Sequence, residues 1–556
     1  MLESTQPLIS GRPTFSDQAL HALAKSQGDL AAWREAMQRN PAKTASEAAG
    51  DFAVGMHNPD GTAFIAVDRF ATHPLCYRIK DGRLHFASRA DVLADDQPEI
   101  DPQAIFDYLY FHMIPAPRTI YKNVLRLPPG HCGTFANGTL TITRYWHPTF
   151  SETKNPSFDE LKTEFRDLLA VAVGEQTQGD KAACFLSGGT DSSTVAGMVS
   201  LATGQVAATY SIGFDAQGYD EMEFARLASR HFKTEHHEYY VTPDDLVRGI
   251  PSVAASCDQP FGNSSLLPAY YCAKMARDDG VDRMLAGDGG DELFGGNSRY
   301  AKQRVFGWYQ YVPGLVRSTV MEPLLKTRAA NSFVLTRKAG SYVEQAGSPM
   351  PDRLQLYNLV MRLGFDDVLT PQMLARVDTT APLQLQREIW NSVSDCTDLN
   401  KELAFDWRFT LADSDLPKVR YATELAGVSV GFPMLDSRLL DFSLKLPTEY
   451  KLKNLTLRWF FKEALRGFLP DEIIAKKKQG FGLPFGVWAN NTPSLQAMAK
   501  TSLHNLADRG IVRRAFIQTL LTERLPEHPG YFGEMVWILM MLEQWLAAKA
   551  PAYRIG

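Results

Sequence analysis

Between Phe158 and Ala286, apolar runs short enough for strands alternate with runs of helical period. The pattern predicts a helix from Phe158 to Gln176, a strand from Ala182 to Leu186 and a helix through Met198. A second strand, QVAATYSIGF, follows, then a helix around YDEMEFARLASRHF and a short strand, EHHEYYV. Helices near 243–256 and 266–279 lead to a last strand, Val281 to Ala286. Strands separated by helices cannot pair as hairpins. They must return by crossovers, so the expected class is α/β with a doubly wound parallel sheet.

The segments on either side read differently. Residues 50–145 hold β-prone runs around three turn signals, Asp60-Gly61, Asp81-Gly82 and Asn137-Gly138. These predict hairpins and an N-terminal antiparallel, β-rich domain. Its first 48 residues look helical and irregular, and His147 to Ser157 reads as a linker. Residues 300–556 are mostly of helical period. A chain of 556 residues exceeds one ordinary core, and the boundaries fall at 1–148 and 158–556.

Composition narrows the classes. With 45% apolar and 22% charged residues and a net charge of -5, the chain has no electrostatic footprint for nucleic acid. The start, MLESTQPLISGRPT, carries no basic-then-apolar leader. The most apolar run, Met535 to Leu546, is too short for a bilayer and contains Glu543, so a buried helix and no membrane partner are expected. Six cysteines, at 76, 132, 184, 257, 272 and 396, form no CxxC pair. Reduced thiols in a cytoplasmic protein are the expectation.

Three segments carry chemistry. FLSGGTDSST, residues 185–194, places Gly188 and Gly189 between a strand and a helix. Such a turn aims backbone N–H groups and a helix N-terminus at one point, which suits phosphate. Ser187, Ser192 and Ser193 add hydroxyls. Asp191 would repel phosphate unless Mg2+ stood between them, so the loop fits a magnesium-bound pyrophosphate better than a bare tight turn. LAGDGGDELFGG, residues 285–296, closes another strand with Asp288, Asp291 and Glu292. Ligands of open α/β sheets bind beyond the carboxyl ends of strands, so both loops should face one crevice. The third segment, AKKKQGFGLPFGVW, sets Lys476, Lys477 and Lys478 before two glycines. A lysine there can meet a phosphoryl group as charge develops, although locally the three also read as a solvated face.

Together these segments resemble the asparagine synthetase family, whose synthetase domain is of the ATP-pyrophosphatase type. YSIGF, YDE, TEHHE, DQPFGNSSLLPAY, GFPMLD and LPDEIIAKKKQGFGLP follow in family order over roughly 50–490. The resemblance implies ATP with Mg2+ held by Asp191 and Asp291. It implies a pyrophosphate loop of Ser187, Gly188, Gly189, Asp191, Ser192 and Ser193, and an adenosine site lined by Phe185, Ile212 and Gly287. Lys478 would steady the adenylation transition state, and Asp288 would lie near the attacking amine. The substrates would be a small-molecule or peptide carboxylate and an amine or ammonia. The resemblance is compatible with a homodimer. It also implies an Ntn-hydrolase-like, glutaminase-type N-terminal domain.

Two departures qualify it. The family's glutaminase uses a cysteine exposed after Met removal, and position 2 here is Leu2. No cysteine precedes Cys76. The glutamine-gripping segments are missing before residue 50, while GDFA, DRF and FASR remain. The expectation is a degenerate glutaminase fold, as in β-lactam synthetases and lasso-peptide cyclases, which join an acid and an amine of one substrate. In LPKVRYATELAGVSVGFPMLD, Arg420, Tyr421, Glu424, Ser429 and Gly431 replace the family's usual residues, which counts against aspartate as the acid. Purified protein is accordingly expected to release no glutamate from glutamine above a heat-killed control. Measurable release in a coupled glutamate assay would overturn the degenerate-glutaminase reading.

Overall fold

The computed structural model describes residues 6–41, 43–309, 334–477 and 482–555. The predicted hairpins form. β1 (Leu8–Phe15), β2 (Ala48–His57) and β3 (Ala63–Val67) are antiparallel neighbours. β4 (Cys76–Lys80), β5 (Arg83–Ala87) and β6 (Leu125–Arg126) make a second, three-stranded sheet in the order β5-β4-β6. β7 (His131–Ala136) and β8 (Thr139–Arg144) complete the first sheet, β1-β2-β3-β7-β8. The Asp-Gly and Asn-Gly pairs supply the positive φ that tight hairpins need, with Asp81 at 52° and Asn137 at 51°. Trp33, on the helix Asp29–Arg39, is fully buried against Phe15, Phe52 and Phe64.

β1 lies where an irregular segment was expected. Gly11 and Pro13 break the alternation that would mark LISGRPTF as a strand. As the edge strand of its sheet β1 tolerates both, because one side of its backbone needs no ladder.

The doubly wound sheet is also present. β9 (Ala182–Phe185), β10 (Ala208–Phe214), β11 (Glu235–Val241), β12 (Arg283–Leu285) and β13 (Ser429–Gly431) run parallel in the order β11-β10-β9-β12-β13. The chain winds outward from β9 to β11, then crosses back to place β12 on the other side of β9. The strand order therefore reverses between β9 and β12. Phe165 of the helix Phe158–Gln176 packs on Phe294, Phe442, Phe460 and Phe461 and fills the space on one face.

The C-terminal helix Pro529–Lys549 is buried on nearly every side, which explains its all-round apolar sequence. Glu543 within it is 3% exposed and paired with Arg509. Among the described residues no helix is long and apolar enough to cross a membrane.

The segment read as a linker is strapped down. Ser151 N–H donates to Leu444 O at 3.0 Å and Thr153 N–H to Lys445 O at 2.8 Å. Glu152 accepts from Asn400 Nδ2 at 2.7 Å and from Thr448 N–H at 3.1 Å. The N-terminal sheets are also tied to the helical part through a buried ion cluster. Asp413 sits at the end of a widened, i→i+5 turn of helix, Trp407–Asp415. Arg126 Nη2 donates to it at 2.8 Å and Arg408 Nη1 lies 3.1 Å from its other oxygen. Asp413→Ala would leave two buried guanidinium groups without their carboxylate. Destabilisation of about 3–5 kcal/mol is expected in chemical denaturation, whereas a loss under about 1 kcal/mol would mean the cluster is solvated.

Candidate functional site

The glycine loop leaves β9 at Leu186 and enters the helix Thr190–Thr203 at its N-terminus. Gly188 has φ 68°, and a Cβ there would fall 2.4 Å from Ala225 N. Only glycine turns here with the neighbouring helix this close. Ser187 is exposed, and its hydroxyl lies 3.0 Å from that of Ser192. Ser193 is fully buried. Asp191 stands in the first turn of the helix.

The acidic loop leaves β12 and turns through Gly287 to Gly290 into the short helix Gly290–Phe294. It touches the glycine loop directly. A Cβ on Gly287 would be 2.8 Å from Ser192 N, and one on Gly290 would be 2.0 Å from Asp191 Oδ1. The two loops thus share one crevice at the strand ends. Phe185 and Ile212 lie on adjacent strands and pack against one apolar group that includes Tyr210 and Cys272.

Between Asp191 and Asp291 stands Arg458, which the sequence reading did not single out. Its Nη1 donates to Asp191 Oδ2 at 2.7 Å, to Asp291 Oδ1 at 2.8 Å and to Thr190 Oγ1 at 3.0 Å. Its Nη2 donates to the other oxygen of Asp191. The residue is 4% exposed, and its guanidinium lies 3.9 Å from the Phe461 ring centroid. Burial opposes the charge, but the two carboxylates outweigh it and hold the group protonated. No local pattern in NLTLRWFF marks Arg458. Only the unbalanced pair of acids opposite it called for a cation. Both carboxylates reach a single nitrogen, so their hard oxygens are aimed at one point, an arrangement that also fits Mg2+.

Asp288, on the same acidic loop, has a different cation. Lys418 Nζ donates to Asp288 Oδ1 at 3.2 Å and to Asp415 Oδ1 at 3.1 Å. Burial pushes the Asp288 carboxyl up, Lys418 draws it down and Asp415 adds to the rise. Lys418 is held charged by the two acids against its burial. Neither Lys418 nor Asp415 had a signal beyond its charge.

The lysine run is not uniformly solvated. Lys476 is half-buried, 3.1 Å from Glu221 Oε1, with its Nζ donating to Gly188 O at 3.4 Å and lying 4.4 Å from the Phe224 ring centroid. Its methylenes and charge clamp the back of the glycine loop, which corrects the reading of a solvated face. Lys477 is exposed. Lys478 lies outside the described residues.

The departing positions are satisfied internally. Arg420 Nη1 donates to Glu424 Oε1 at 2.9 Å, one helical turn away. Tyr421 donates its hydroxyl to Asp258. A Cβ on Gly431 would fall 2.5 Å from Gln176 Oε1 and 2.9 Å from Arg283 Nε, so an arginine of β12 fills the space a side chain there would need.

Lys451 supports Arg458 from behind. Its carbonyl accepts from Arg458 N–H at 2.8 Å. Its own side chain is fully buried, donating to Asn400 Oδ1 at 2.8 Å beneath the Phe150 ring. Burial pulls this ammonium from 10.5 down to about 7.

Fold and site together define a doubly wound α/β protein with glycine-rich and acidic loops meeting where its strand order reverses. The Asparagine synthase family model matches residues 164–547, and the Glutamine amidotransferase domain model matches 18–146. The chain belongs to the asparagine synthase family, whose members are ATP-dependent amide ligases. It is 25% identical over 509 residues to asparagine synthetase (glutamine-hydrolyzing) 1 of Bacillus subtilis (strain 168), covering 90% of this chain and 78% of that one. A putative asparagine synthetase of Mycobacterium tuberculosis (strain ATCC 25618 / H37Rv) is 26% identical, over 76% of this chain and 65% of its own length. One of Methanocaldococcus jannaschii is 34% identical over 245 residues, 42% of this chain and 47% of its own. Among solved structures, the glutamine phosphoribosylpyrophosphate amidotransferase of B. subtilis aligns at a TM-score of 0.18 and 11% identity over 52% of this chain and 62% of that chain, too weak for an argument.

The Lys451 ammonium generates a pH test. Between pH 7 and 10.5 the unfolded chain keeps a proton that the folded chain has released. Stability must therefore rise with pH through that window, by up to about 1.4 kcal/mol per pH unit from this group. Denaturation midpoints of the wild type and Lys451→Met, compared from pH 7 to 10, are expected to differ in slope by that sign. Parallel profiles would show that Lys451 is charged in the fold.

Proposed function

We propose that this protein is an AMP-forming amide ligase that adenylates a carboxylate and passes it to ammonia or an amine. The observation that supports it most is the convergence of Asp191 and Asp291 on one point, beside the glycine loop at the sheet's switch point. That is where a parallel sheet receives a ligand, and two carboxylates there need a cation.

In this reading the loop Ser187–Ser192 binds the pyrophosphate end of ATP. Phe185, Ile212 and Gly287 line the adenosine. Asp191 and Asp291 would hold Mg2+, which neutralises phosphate oxygens as charge develops on the leaving pyrophosphate. Among the described residues no three His, Cys, Asp or Glu side chains converge on a metal position. The two aspartates would thus share the ion with substrate oxygens and water. The substrate carboxylate attacks the α-phosphorus, pyrophosphate leaves, the amine attacks the acyl carbon, and AMP departs. Asp288, its carboxyl raised by burial, would take the proton from an ammonium, while Lys418 keeps it oriented. Glu221 and Lys476 hold the loop in shape.

The 1–148 segment is read as a glutaminase-like fold without its nucleophile, and 158–556 as the synthetase. The internal pairing of Arg420 with Glu424 and of Tyr421 with Asp258 favours an acid other than free aspartate, since these charges are already engaged.

The test is pyrophosphate release with ATP, Mg2+ and candidate acids. Asp191→Asn and Asp291→Asn are each expected to lower it on the order of 10²-fold or more, with circular dichroism unchanged. Lys478→Ala should reduce kcat far more than it raises KM for ATP, and Lys478→Arg should not restore it fully. Lys477→Ala should change little, and Lys476→Ala about tenfold, because it leaves Glu221 unpaired beside the loop. Unchanged turnover in either aspartate variant would refute that residue's role, and equal small losses in all three lysine variants would refute that of Lys478.

A further inference from the structure

The space between Asp191 and Asp291 is filled by a side chain of the protein itself. Arg458 Nη1 lies 2.7 and 2.8 Å from the two carboxylates, and Nη2 engages the second oxygen of Asp191. Three features show that the guanidinium is built into this position. Its backbone has φ 55° and is pinned by the 2.8 Å bond to Lys451 O. Phe461 supports one face of the group. Gly296 leaves the room, since a Cβ there would be 2.6 Å from Arg458 Cδ and 1.7 Å from Asp291 Oδ1.

A divalent ion entering the same space would meet a unit positive charge at hydrogen-bonding distance in a partly desolvated crevice, and oxygens already engaged in charge-assisted bonds. A triphosphate changes that balance. Bound at the glycine loop as proposed, it would bring oxygens near Thr190, whose hydroxyl Arg458 Nη1 already contacts at 3.0 Å, and so offer the guanidinium another anion.

We propose that Arg458 makes divalent-cation binding at Asp191 and Asp291 conditional on nucleotide, by acting as their resident counter-ion until phosphate competes for it. The inference rests on the reading that these two aspartates hold the metal. It makes Arg458 a bias on the order of binding: the site takes the ion more tightly with the nucleotide than before it.

The experiment is a Mn2+ titration of the full chain followed by electron paramagnetic resonance, without nucleotide and with a non-hydrolysable ATP analogue. In the wild type, Mn2+ is expected to bind at least about tenfold more weakly without the analogue. In Arg458→Gln, nucleotide-free affinity should rise by about tenfold or more and the dependence on analogue should shrink, because the cation standing between the carboxylates is gone. Arg458→Lys, whose compact ammonium cannot fork across both acids, should fall between the two. Circular dichroism and unfolding midpoints establish that each variant is folded, and if Arg458→Gln is not, Arg458→Lys decides. Equal Mn2+ affinity with and without analogue in the wild type overturns the inference. So does a folded variant whose nucleotide-free affinity matches the wild type. Asp291→Asn separates the two readings: retention of analogue-dependent Mn2+ binding in that variant would sink the metal assignment. Its loss, with Arg458 variants unchanged, would sink only the bias.

Discussion

The site depends on β9 and β12 lying side by side. In a parallel sheet each strand must be reached by a crossover, and this chain reaches β10 and β11 on one side of β9 and β12 on the other. The strand order therefore reverses between β9 and β12, and the loops leaving these two strands border one crevice. The register Leu285↔Cys184 sets both strand ends at nearly one height. The two loops then approach so closely that Gly287 and Gly290 have no room for a Cβ. Glycine composition here follows from strand order. The same closeness brings Asp191 and Asp291 within reach of one nitrogen, a juxtaposition that would be unfavourable without a cation between them.

That cation is held by structure reaching far from the sheet. Arg458 hangs from Lys451 O, Lys451 reaches Asn400, and Asn400 donates to Glu152 of the segment joining the N-terminal sheets to the rest. Each link is buried or partly buried, and each involves a group that needs its partner. A lysine as deeply buried as Lys451 is tolerated where it satisfies an amide oxygen and an aromatic face, and its proton affinity falls accordingly. The helical half of the chain thus serves as the scaffold for one guanidinium, and the inter-domain segment belongs to that scaffold.

What could be read in advance follows from how local each signal is. The three hairpins rest on dipeptides that adopt positive φ cheaply, and the doubly wound sheet on alternating periods, so both were legible. So were the two glycine-rich loops, because strand-end turns with carboxylates have a recognisable grammar. β1 escaped because an edge strand can carry Gly11 and Pro13 and so shows no alternation. Arg458 escaped because its importance lies in what it faces, more than 150 residues away in sequence from Asp291. Lys418 with Asp415, and Lys476 with Glu221, escaped for the same reason: a charge becomes informative only once its partner is placed. The lysine run was misread at Lys476 because three adjacent cations look alike until one of them is half-buried.

The departures from the family pattern follow the same physics. At Gly431 the volume a side chain would need is filled by Arg283 from the adjacent strand, with Gln176 accepting from it. The buried Arg283 is itself partnered, donating to Gln176 Oε1 and lying 3.9 Å from Asp180. At 420 the arginine is balanced by Glu424 one turn on. Beside them Lys418 of this helix joins Asp288 of the acidic loop to Asp415. Two acids around one lysine carry net negative charge. Under the proposed function this arrangement would suit a cationic amine and would fit poorly with a second free carboxylate on the acyl substrate. In the proposed function, selectivity at this end of the crevice would be set by the amine, and the acid's remaining contacts would come from other walls.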